Sequence, residues 1–294
     1  MGSTVFTVFL PVALALVMFG LGLTLTVADF GRVVRQPRAA LVALVCQVVV
    51  LPLVCFGLVY AFGLQGTLAV GMMLLAASPG GTSANLFSHL AGGDVALNIT
   101  LTAVNSVLAV FTLPVVVGLS MAAFLDDGGS VGLQAVKMLQ VFAIVLIPVA
   151  AGMLVRRRWT AWAERMRGPV KTASVVVLVL VIAGALVQEF QTFLDNVGRL
   201  GPAALLLCVL SLLVGYYVPR AFRVERGQAI ASAMEIGIHN ATLAIAIAVT
   251  VLGDEVMAVP GAIYGILMFV PATIAAYLFA RKPARLAAER GQPK

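Results

Sequence analysis

The sequence is poor in charge: 11% of its 294 residues are Asp, Glu, Lys or Arg, where a soluble domain usually has about a quarter. It has only three cysteines, Cys46, Cys55 and Cys208, all in apolar runs and without Cys-X-X-Cys or Cys/His spacing. The first shortage excludes an ordinary soluble domain. The second argues against a disulfide framework and a structural zinc site. A Ser/His/Asp set, paired aspartates and a His-Glu-X-X-His motif are also missing, which argues against an intramembrane enzyme.

Apolar sequence is what the chain has in excess. Hydrophobic residues make up 62% of it, the mean hydropathy is +1.08, and 28 glycines and 13 prolines are scattered through the apolar runs. Glycine and proline are tolerated inside membrane helices. The composition therefore predicts an all-α membrane protein, with a single transmembrane domain over residues 1–294.

Apolar runs bounded by charges predict about nine spans. The spans cover residues 5–27, 39–62, 67–91, 94–124, 131–155, 171–189, 200–219, 228–252 and 257–280. All of the 19 basic residues except Lys137 and Arg199 fall in connections on one side. The positive-inside rule then places the N-terminus outside and the C-terminus in the cytoplasm. We expect the protein to lie in the inner (plasma) membrane of the cell. The net charge of +7 reflects this topology rather than nucleic-acid binding.

Two spans are interrupted near their middle by residues that a simple membrane helix avoids. The third contains Ser-Pro-Gly-Gly-Thr-Ser-Ala-Asn at 78–85, and the eighth contains Glu-Ile-Gly-Ile-His-Asn at 235–240. Interruptions at corresponding positions of two halves indicate a transporter binding site. The two spans are the third and the eighth, so they are separated by an odd number of membrane crossings. The second half would therefore cross the membrane in the opposite direction to the first. The alternative is a pair of unrelated kinked helices.

Four motifs together carry a resemblance to a known family. They are Met-Phe-Gly-Leu-Gly-Leu-Thr-Leu at 18–25, the segment 78–85, the Gly-Asp-Val-Ala-Leu turn at 93–97 and the segment 235–240. In order and spacing they closely resemble the bile acid:sodium symporter family, over essentially the whole chain. The resemblance implies two inverted five-helix repeats, whose discontinuous helices cross near the membrane midplane beside two sodium sites. Organic anions are carried inward with sodium in that family.

The resemblance also implies how this chain is divided. Residues 1–124 form the first repeat, which lacks its leading helix, and residues 131–280 form the second. The segments 39–124 and 200–280 make a core domain, and the segments 5–27 and 131–189 make a panel. We expect a monomer.

Glu235 is the one acid that lies deep within a span. An ionised carboxylate at the bilayer centre costs at least about 2.5–3.5 kcal/mol, so it needs a partner. No Lys or Arg lies at comparable depth in the sequence. A bound cation or a proton is the natural partner, and the alternative is a protonated acid that hydrogen-bonds between helices.

Polar side chains on three other spans could supply oxygens to a hard cation such as sodium. Asn98, Thr102 and Asn105 recur at i, i+4 and i+7, which places them on one face of the fourth span. Asn85 begins the second half of the third span, and Gln47 is the one amide inside the second. Taken singly, each is better explained by a hydrogen bond between helices. Their combination with the buried acid is what the resemblance predicts.

Carried over by position, the resemblance implies two ligand sets for one or two sodium ions. The first consists of Asn85, Asn98, Thr102 and Glu235. The second consists of Gln47, Glu235, the carbonyl groups of Ile236 and Ile238, and His239. Ala84 and Asn98 stand where the family often has serine, and His239 stands where it has glutamine. Because imidazole offers nitrogen to a hard cation, a single-sodium or proton-linked cycle is the alternative.

The broken helices predict an anionic substrate. Half-helix N-termini near Thr82 and Asn240 would present free N–H groups and a positive dipole end, which suit a carboxylate or a sulfonate. We expect a small organic anion of the keto-acid, pantoate-like, sulfonate or bile-acid-like type. Its expected contacts are Thr82, Asn85, Asn105, His239 and Asn240.

Other transport functions fit less well. A channel would be expected to repeat a filter segment, whereas this chain has a single deep carboxylate. A carrier of thiol-binding metalloids would need a cysteine in a broken helix, and none of the three lies there. A proton-coupled or effluxing carrier of the same fold is the open alternative. His89, near the end of the third span, is interpreted as an interfacial residue.

Overall fold

The computed structural model of the protein describes residues 36–125, 147–166, 168–170 and 190–289, together with residues 15–16, 18–20, 22–23, 33, 143, 172–173 and 176. Every regular element in this part of the chain is a helix, as the composition predicts. Most of each of the predicted spans at 5–27, 131–155 and 171–189 lies outside the described residues.

Ten α-helices are numbered here in chain order. They are α1 (Pro37–Val45), α2 (Leu51–Ala61), α3 (Gly66–Ala77), α4 (Thr82–Leu90), α5 (Val95–Phe124), α6 (Phe190–Ala221), α7 (Arg226–Gly237), α8 (Ala241–Ile247), α9 (Val259–Leu267) and α10 (Phe269–Glu289). A π-helical segment, Cys46–Val50, joins α1 to α2, and another, Ala248–Leu252, extends α8. A short 3₁₀ helix, Val256–Ala258, precedes α9. Residues 147–158 and 160–166 are also helical.

Three of the described helical stretches are long and apolar enough to cross a membrane: Pro37–Ala61, Leu194–Ala221 and Val256–Arg281. Helix α5 makes a fourth if its halves, Val95–Ala109 and Phe111–Phe124, form one span bent by 54°. Pro114 lies inside this helix and cannot donate to the carbonyl group four residues earlier, which accounts for a bend near residue 110.

The third and eighth predicted spans are each two helices separated by a break. Residues 78–81 separate α3 from α4, and residues 238–240 separate α7 from α8. The interruptions that the sequence predicts at Pro79 and near His239 are therefore present in the backbone.

The two breaks lie side by side and hydrogen-bond to each other, and this contact is called the crossing below. The N–H of Gly81 donates to the carbonyl oxygen of Ile238 across 2.7 Å, and the N–H of Asn240 donates to that of Pro79 across 2.8 Å. The pairing is an isolated antiparallel bridge between Gly80 and His239. Because unpaired backbone groups are costly away from water, this pairing allows two helices to be interrupted inside the protein.

The centre of the described part is formed by the halves of the broken helices that lead into the crossing. Every residue of Ala69–Ala77 in α3 and of Ala229–Gly237 in α7 is buried. Gly261 and Gly265 of α9 face α8: a Cβ on Gly265 would lie 3.1 Å from that of Ala241. The crossing is thus enclosed by protein on several sides.

The seventh predicted span is longer than its apolar run indicates. Within the described residues α6 extends back to Phe190, whereas the sequence predicts a beginning near residue 200, so Asp195 and Arg199 belong to the helix and not to a connection before it. Both side chains are exposed. Charge marks where a span meets water, but it does not stop a helix, and α10 likewise continues beyond residue 280.

Candidate functional site

Glu235 lies in the last turn of α7 and is fully buried. Its Oε1 accepts from the N–H of Gly80 across 3.2 Å and from Nδ2 of Asn105 across 3.1 Å, and its Oε2 accepts from the hydroxyl of Thr102. All three donors are neutral. Within the described part of the chain the partners of this carboxylate therefore bring no positive charge, and an ionised Glu235 still needs a cation.

Gly80 is at the crossing because nothing larger fits there. A Cβ built on Gly80 would overlap the carboxyl group of Glu235. The glycine lets the backbone of one break reach the side chain at the end of the other broken helix. The N–H of Gly80 thus joins the two interrupted helices directly to the acid.

One face of α5 follows α7 turn by turn. Asn98 donates from Nδ2 to the carbonyl oxygen of Ala231 across 2.7 Å, and Thr102 and Asn105 both donate to Glu235 one turn further on. The shared face that the spacing of these three residues predicts is therefore the face that contacts α7. Oδ1 of Asn98 is buried and has no hydrogen-bond partner among the described residues.

Gln47 contacts the other broken helix. It lies in the π-helical segment Cys46–Val50, and its Nε2 donates to the carbonyl oxygens of Ser78 at 2.9 Å and Ala76 at 3.5 Å. It thereby satisfies carbonyl groups at the end of α3, where the helix can no longer do so. Its Oε1 is buried without a partner in the described residues.

Other residues of the predicted ligand sets are not hydrogen-bonded to Glu235 in the described part of the chain. Oδ1 of Asn85, in α4, is buried without a partner among the described residues. Ile236 is fully buried in α7. The carbonyl oxygen of Ile238 accepts from Gly81 in the crossing pair, so one of its two lone pairs is used.

His239 is held by a tyrosine. The hydroxyl of Tyr264, in α9, donates to the carbonyl oxygen of Gly237 across 2.9 Å and lies 2.8 Å from Nδ1 of His239. Which of the two groups donates in this contact depends on the tautomer of the imidazole. Nε2 of His239 is buried and has no hydrogen-bond partner in the described part of the chain.

The sequence reasoning missed Tyr264. Its signal was a tyrosine in the middle of an apolar span, between the glycines Gly261 and Gly265. Tyr264 is fully buried, and a buried tyrosine hydroxyl usually finds a partner. A tyrosine in mid-span therefore points to a polar group of another helix.

The two half-helix N-termini differ in how they are capped. At α8, Asn240 is the N-cap residue and its Oδ1 accepts from the N–H of Leu243 across 3.0 Å. At α4 the N-cap is Gly81, which has no side chain to offer, and Thr82 is the first helical residue; its side chain lies outside the described positions. His89, at the other end of α4, is exposed, in keeping with an interfacial position.

Comparison with known proteins shows which family the chain is similar to. The family described as "Sodium Bile acid symporter family" matches residues 11–196 of the chain. The "Uncharacterized sodium-dependent transporter YocS" of Bacillus subtilis (strain 168) is 28% identical over 258 residues, which are 88% of this chain and 78% of that protein.

Two eukaryotic proteins are also similar to this chain in sequence. The "Probable sodium/metabolite cotransporter BASS2, chloroplastic" of Oryza sativa subsp. japonica is 26% identical over 252 residues, 86% of this chain but only 59% of that protein. The "Ileal sodium/bile acid cotransporter" of Homo sapiens is 26% identical over 249 residues, 82% of this chain and 69% of that protein.

Proposed function

Because the chain belongs to the sodium bile acid symporter family, we propose that it is a secondary active transporter that moves a small organic anion inward together with sodium. The relatives support sodium as the coupling ion, since their names describe a sodium-dependent transporter, a sodium/metabolite cotransporter and a sodium/bile acid cotransporter. The bilayer, sodium and an organic anion are then its partners, and no enzymatic step is required.

The observation that carries the proposal is Glu235, a fully buried carboxylate with only neutral donors at the crossing of two broken helices. Carboxylate, hydroxyl, amide and carbonyl oxygens suit sodium. We assign one ion to the set Asn85, Asn98, Thr102 and Glu235. A second ion, if the cycle uses two, would take Gln47, Glu235, the carbonyl groups of Ile236 and Ile238, and His239.

The substrate is proposed to bind where α4 begins. The N-cap residue Gly81 provides no side-chain hydrogen bond to the first turn, and a helix N-terminus without a side-chain cap suits a carboxylate or a sulfonate. The proposed contacts with the substrate are Thr82, Asn85, Asn105, His239 and Asn240. Keto acids, pantoate-like acids, sulfonates and bile-acid-like anions all carry the required group.

Coupling follows from how the crossing is built. Gly80 connects the break of one helix to Glu235 at the end of the other. A sodium ion that neutralises Glu235 would favour the conformation in which both breaks are aligned. The anion would then meet an already ordered N-terminus of α4, so each ligand raises the affinity for the other.

The wider architecture is proposed on the same basis. Helices α3 and α7 have 12 residues each, and both lead into the crossing. This correspondence supports two inverted repeats, at residues 1–124 and 131–280. With them we propose nine spans, and a core and a panel with the bounds that the resemblance implies. We propose that the protein is a monomer in the inner membrane, with its N-terminus outside the cell and its C-terminus in the cytoplasm.

Flux measurements in vesicles test the proposal. Purified protein is reconstituted, and uptake of a labelled keto acid, pantoate, a sulfonate and a bile acid is measured with an inward sodium gradient, an inward potassium gradient or an inward proton gradient. We expect one class of anion to be taken up only with the sodium gradient. Uptake driven by the proton gradient alone would favour the proton-coupled alternative instead.

A further inference from the structure

The two tryptophans of the chain, Trp159 and Trp162, lie together in the connection between the fifth and sixth predicted spans. Their side chains expose 60% and 47% of their surface. Residues 156–171 also carry six basic residues and one acidic residue, Glu164. None of these residues belongs to the proposed sodium or substrate sites. Exposed tryptophan beside arginine is typical of a protein surface at the boundary between lipid and water.

Hydrogen bonds of the α-helical type continue through this segment. The N–H of Trp159 donates to the carbonyl oxygen of Val155 across 2.8 Å, and the N–H of Ala163 donates to that of Trp159 across 2.9 Å. The helical residues 147–158 and 160–166 are therefore joined without a change of periodicity. Residues spaced by three or four positions share a face of this helix.

One face of the helix packs on the first predicted span. A Cβ built on Gly152 would overlap the carbonyl oxygen of Phe19. Four residues further along, Arg156 donates from Nη1 to the carbonyl oxygen of Leu23 across 2.7 Å. Ala163, which is buried, packs with the fully buried Leu23. These contacts fix the rotation of the helix about its axis.

The opposite face changes from apolar to basic along the helix. Ile147 and Leu154 expose 67% and 66% of their surface, as expected of side chains that contact lipid tails. Arg158, Trp162 and Arg165 follow on the same face at spacings of four and three, and all three are exposed. Arg158 lies about 6 Å beyond Leu154 along the axis, and the headgroup layer is about 5–8 Å thick on each side of a bilayer. The change therefore falls at the level of the headgroups.

The two arginines of this face are available to a ligand. Neither Arg158 nor Arg165 forms a hydrogen bond or an ion pair with another described residue, whereas Arg156, on the packed face, is bonded to the backbone of Leu23. A guanidinium group presents a planar set of N–H donors that matches the oxygens of a phosphate. Trp162 supplies an apolar ring next to them. The face therefore suits a phosphate group that is attached to an apolar body.

We propose that the face formed by Arg158, Trp162 and Arg165 binds the headgroup of an anionic phospholipid. The two guanidinium groups contact the phosphate, and the indole ring packs against the headgroup end of the acyl chains. In the orientation proposed above, this lipid lies in the cytoplasmic leaflet. The site is separate from the sodium and substrate sites, so its test does not depend on transport.

Tryptophan fluorescence reports on this segment alone, because the chain has no other tryptophan. A Trp159→Phe background leaves Trp162 as the single reporter. The purified full-length variant is reconstituted in phosphatidylcholine vesicles with a low mole fraction of either dibrominated phosphatidylglycerol or dibrominated phosphatidylcholine, whose bromine atoms quench indole on contact. We expect the anionic lipid to quench at least about twofold more than the zwitterionic one at equal mole fraction, since basic side chains near the surface attract anionic lipids.

Removal of the two charges should abolish this preference. With Arg158→Gln and Arg165→Gln in the same background, we expect the two brominated lipids to quench equally. The matched control combines Arg38→Gln and Arg223→Gln, which remove the same charge at exposed positions outside this segment, and it should keep the full preference.

Two results would overturn the proposal. Equal quenching by both lipids while the two arginines are present, or a preference that survives their replacement, would show that they do not bind an anionic lipid. Quenching of Trp162 by aqueous iodide and by neither lipid would show that this face lies in water, where it would meet a soluble partner instead of a lipid.

Discussion

Asn105 donates a hydrogen bond from Nδ2 to Oε1 of Glu235 across 3.1 Å, although the two residues are 130 positions apart in the sequence. The bond joins the fourth predicted span to the eighth, and so joins the two halves of the chain. Together with Thr102 and the N–H of Gly80 it gives Glu235 neutral partners only, among the residues that the structure describes. Such an environment holds the carboxylate in place and leaves its charge to be neutralised by a ligand.

Replacement of Glu235 by glutamine tests the central role of this acid. Glu235→Gln keeps the shape of the side chain and removes the one deep negative charge, so we expect it to insert and fold but to lose sodium-stimulated uptake more than about tenfold, equivalent to about 1.4 kcal/mol. Uptake in reconstituted vesicles with and without a sodium gradient measures this. Glu225→Gln makes the same chemical change at an exposed position and should transport like the wild type; unchanged sodium stimulation in Glu235→Gln would remove Glu235 from the mechanism.

Gly80→Ala tests whether the close approach at the crossing is required. The added Cβ overlaps the carboxyl group of Glu235, and overpacking of this kind typically costs about 1–3 kcal/mol. We expect a lower melting temperature and little sodium-stimulated uptake. Gly57→Ala is the control, since a Cβ on Gly57 in α2 has no heavy atom within 4 Å. Equal behaviour of the two variants would show that the crossing tolerates a side chain.

Local patterns in the sequence predicted a good part of this arrangement. Pro79 and its neighbouring glycines marked one break, and the spacing of Asn98, Thr102 and Asn105 marked the face of α5 that contacts α7. Both predictions depend on residues that are close together in the sequence, so they can be made without knowledge of the tertiary structure. The need of Glu235 for a partner followed from its depth alone.

Long-range contacts could not be predicted in the same way. Gly80 and Glu235 are 155 residues apart, and no periodicity links a glycine in one break to an acid in another. The role of Tyr264 depends on how α9 packs on the second break, and that of Asn240 as a helix cap depends on where α8 begins. These features are set by the tertiary arrangement of the helices.

Thr102→Val tests the hydroxyl that donates to Glu235. Valine keeps the branched shape of threonine and removes an oxygen, so we expect the half-saturating sodium concentration to rise about thirtyfold. This corresponds to about 2 kcal/mol, within the range of about 1.5–3 kcal/mol for a hydrogen bond to a charged group. Thr100→Val is matched to it, because Thr100 is also buried in α5 but donates to the carbonyl oxygen of Ala96 in its own helix. Sodium titration of uptake compares the two; equal shifts would mean that the effect is structural.

The proposed orientation predicts where a label can reach. In a background without the three native cysteines, a single cysteine at Ser130 or Asp254 should react with a membrane-impermeant reagent added outside. One at Trp159, whose side chain is 60% exposed, should react only after the membrane is opened. Labelling of a cysteine at position 159 from outside, in intact cells, would show that the proposed orientation is wrong.

Tyr264→Phe tests the hydrogen bonds that orient His239. The substitution removes the hydroxyl between Nδ1 of His239 and the carbonyl oxygen of Gly237. It leaves buried polar groups with fewer partners, at a cost of about 1–3 kcal/mol for each unsatisfied group. We expect a lower melting temperature in detergent. Tyr60→Phe, at a position that is 60% exposed, should leave it nearly unchanged.

A double-mutant cycle separates orientation of His239 from general packing. If the tyrosine acts through the imidazole, Tyr264→Phe should cost less in a His239→Gln background than in the wild type, with a coupling energy of at least about 0.5 kcal/mol, as is found for residues in contact. The shift in half-saturating sodium concentration caused by Tyr264→Phe should shrink in the same background, because the group that it orients is gone. Additive effects on both readouts would mean that Tyr264 stabilises the helix packing and does not position His239.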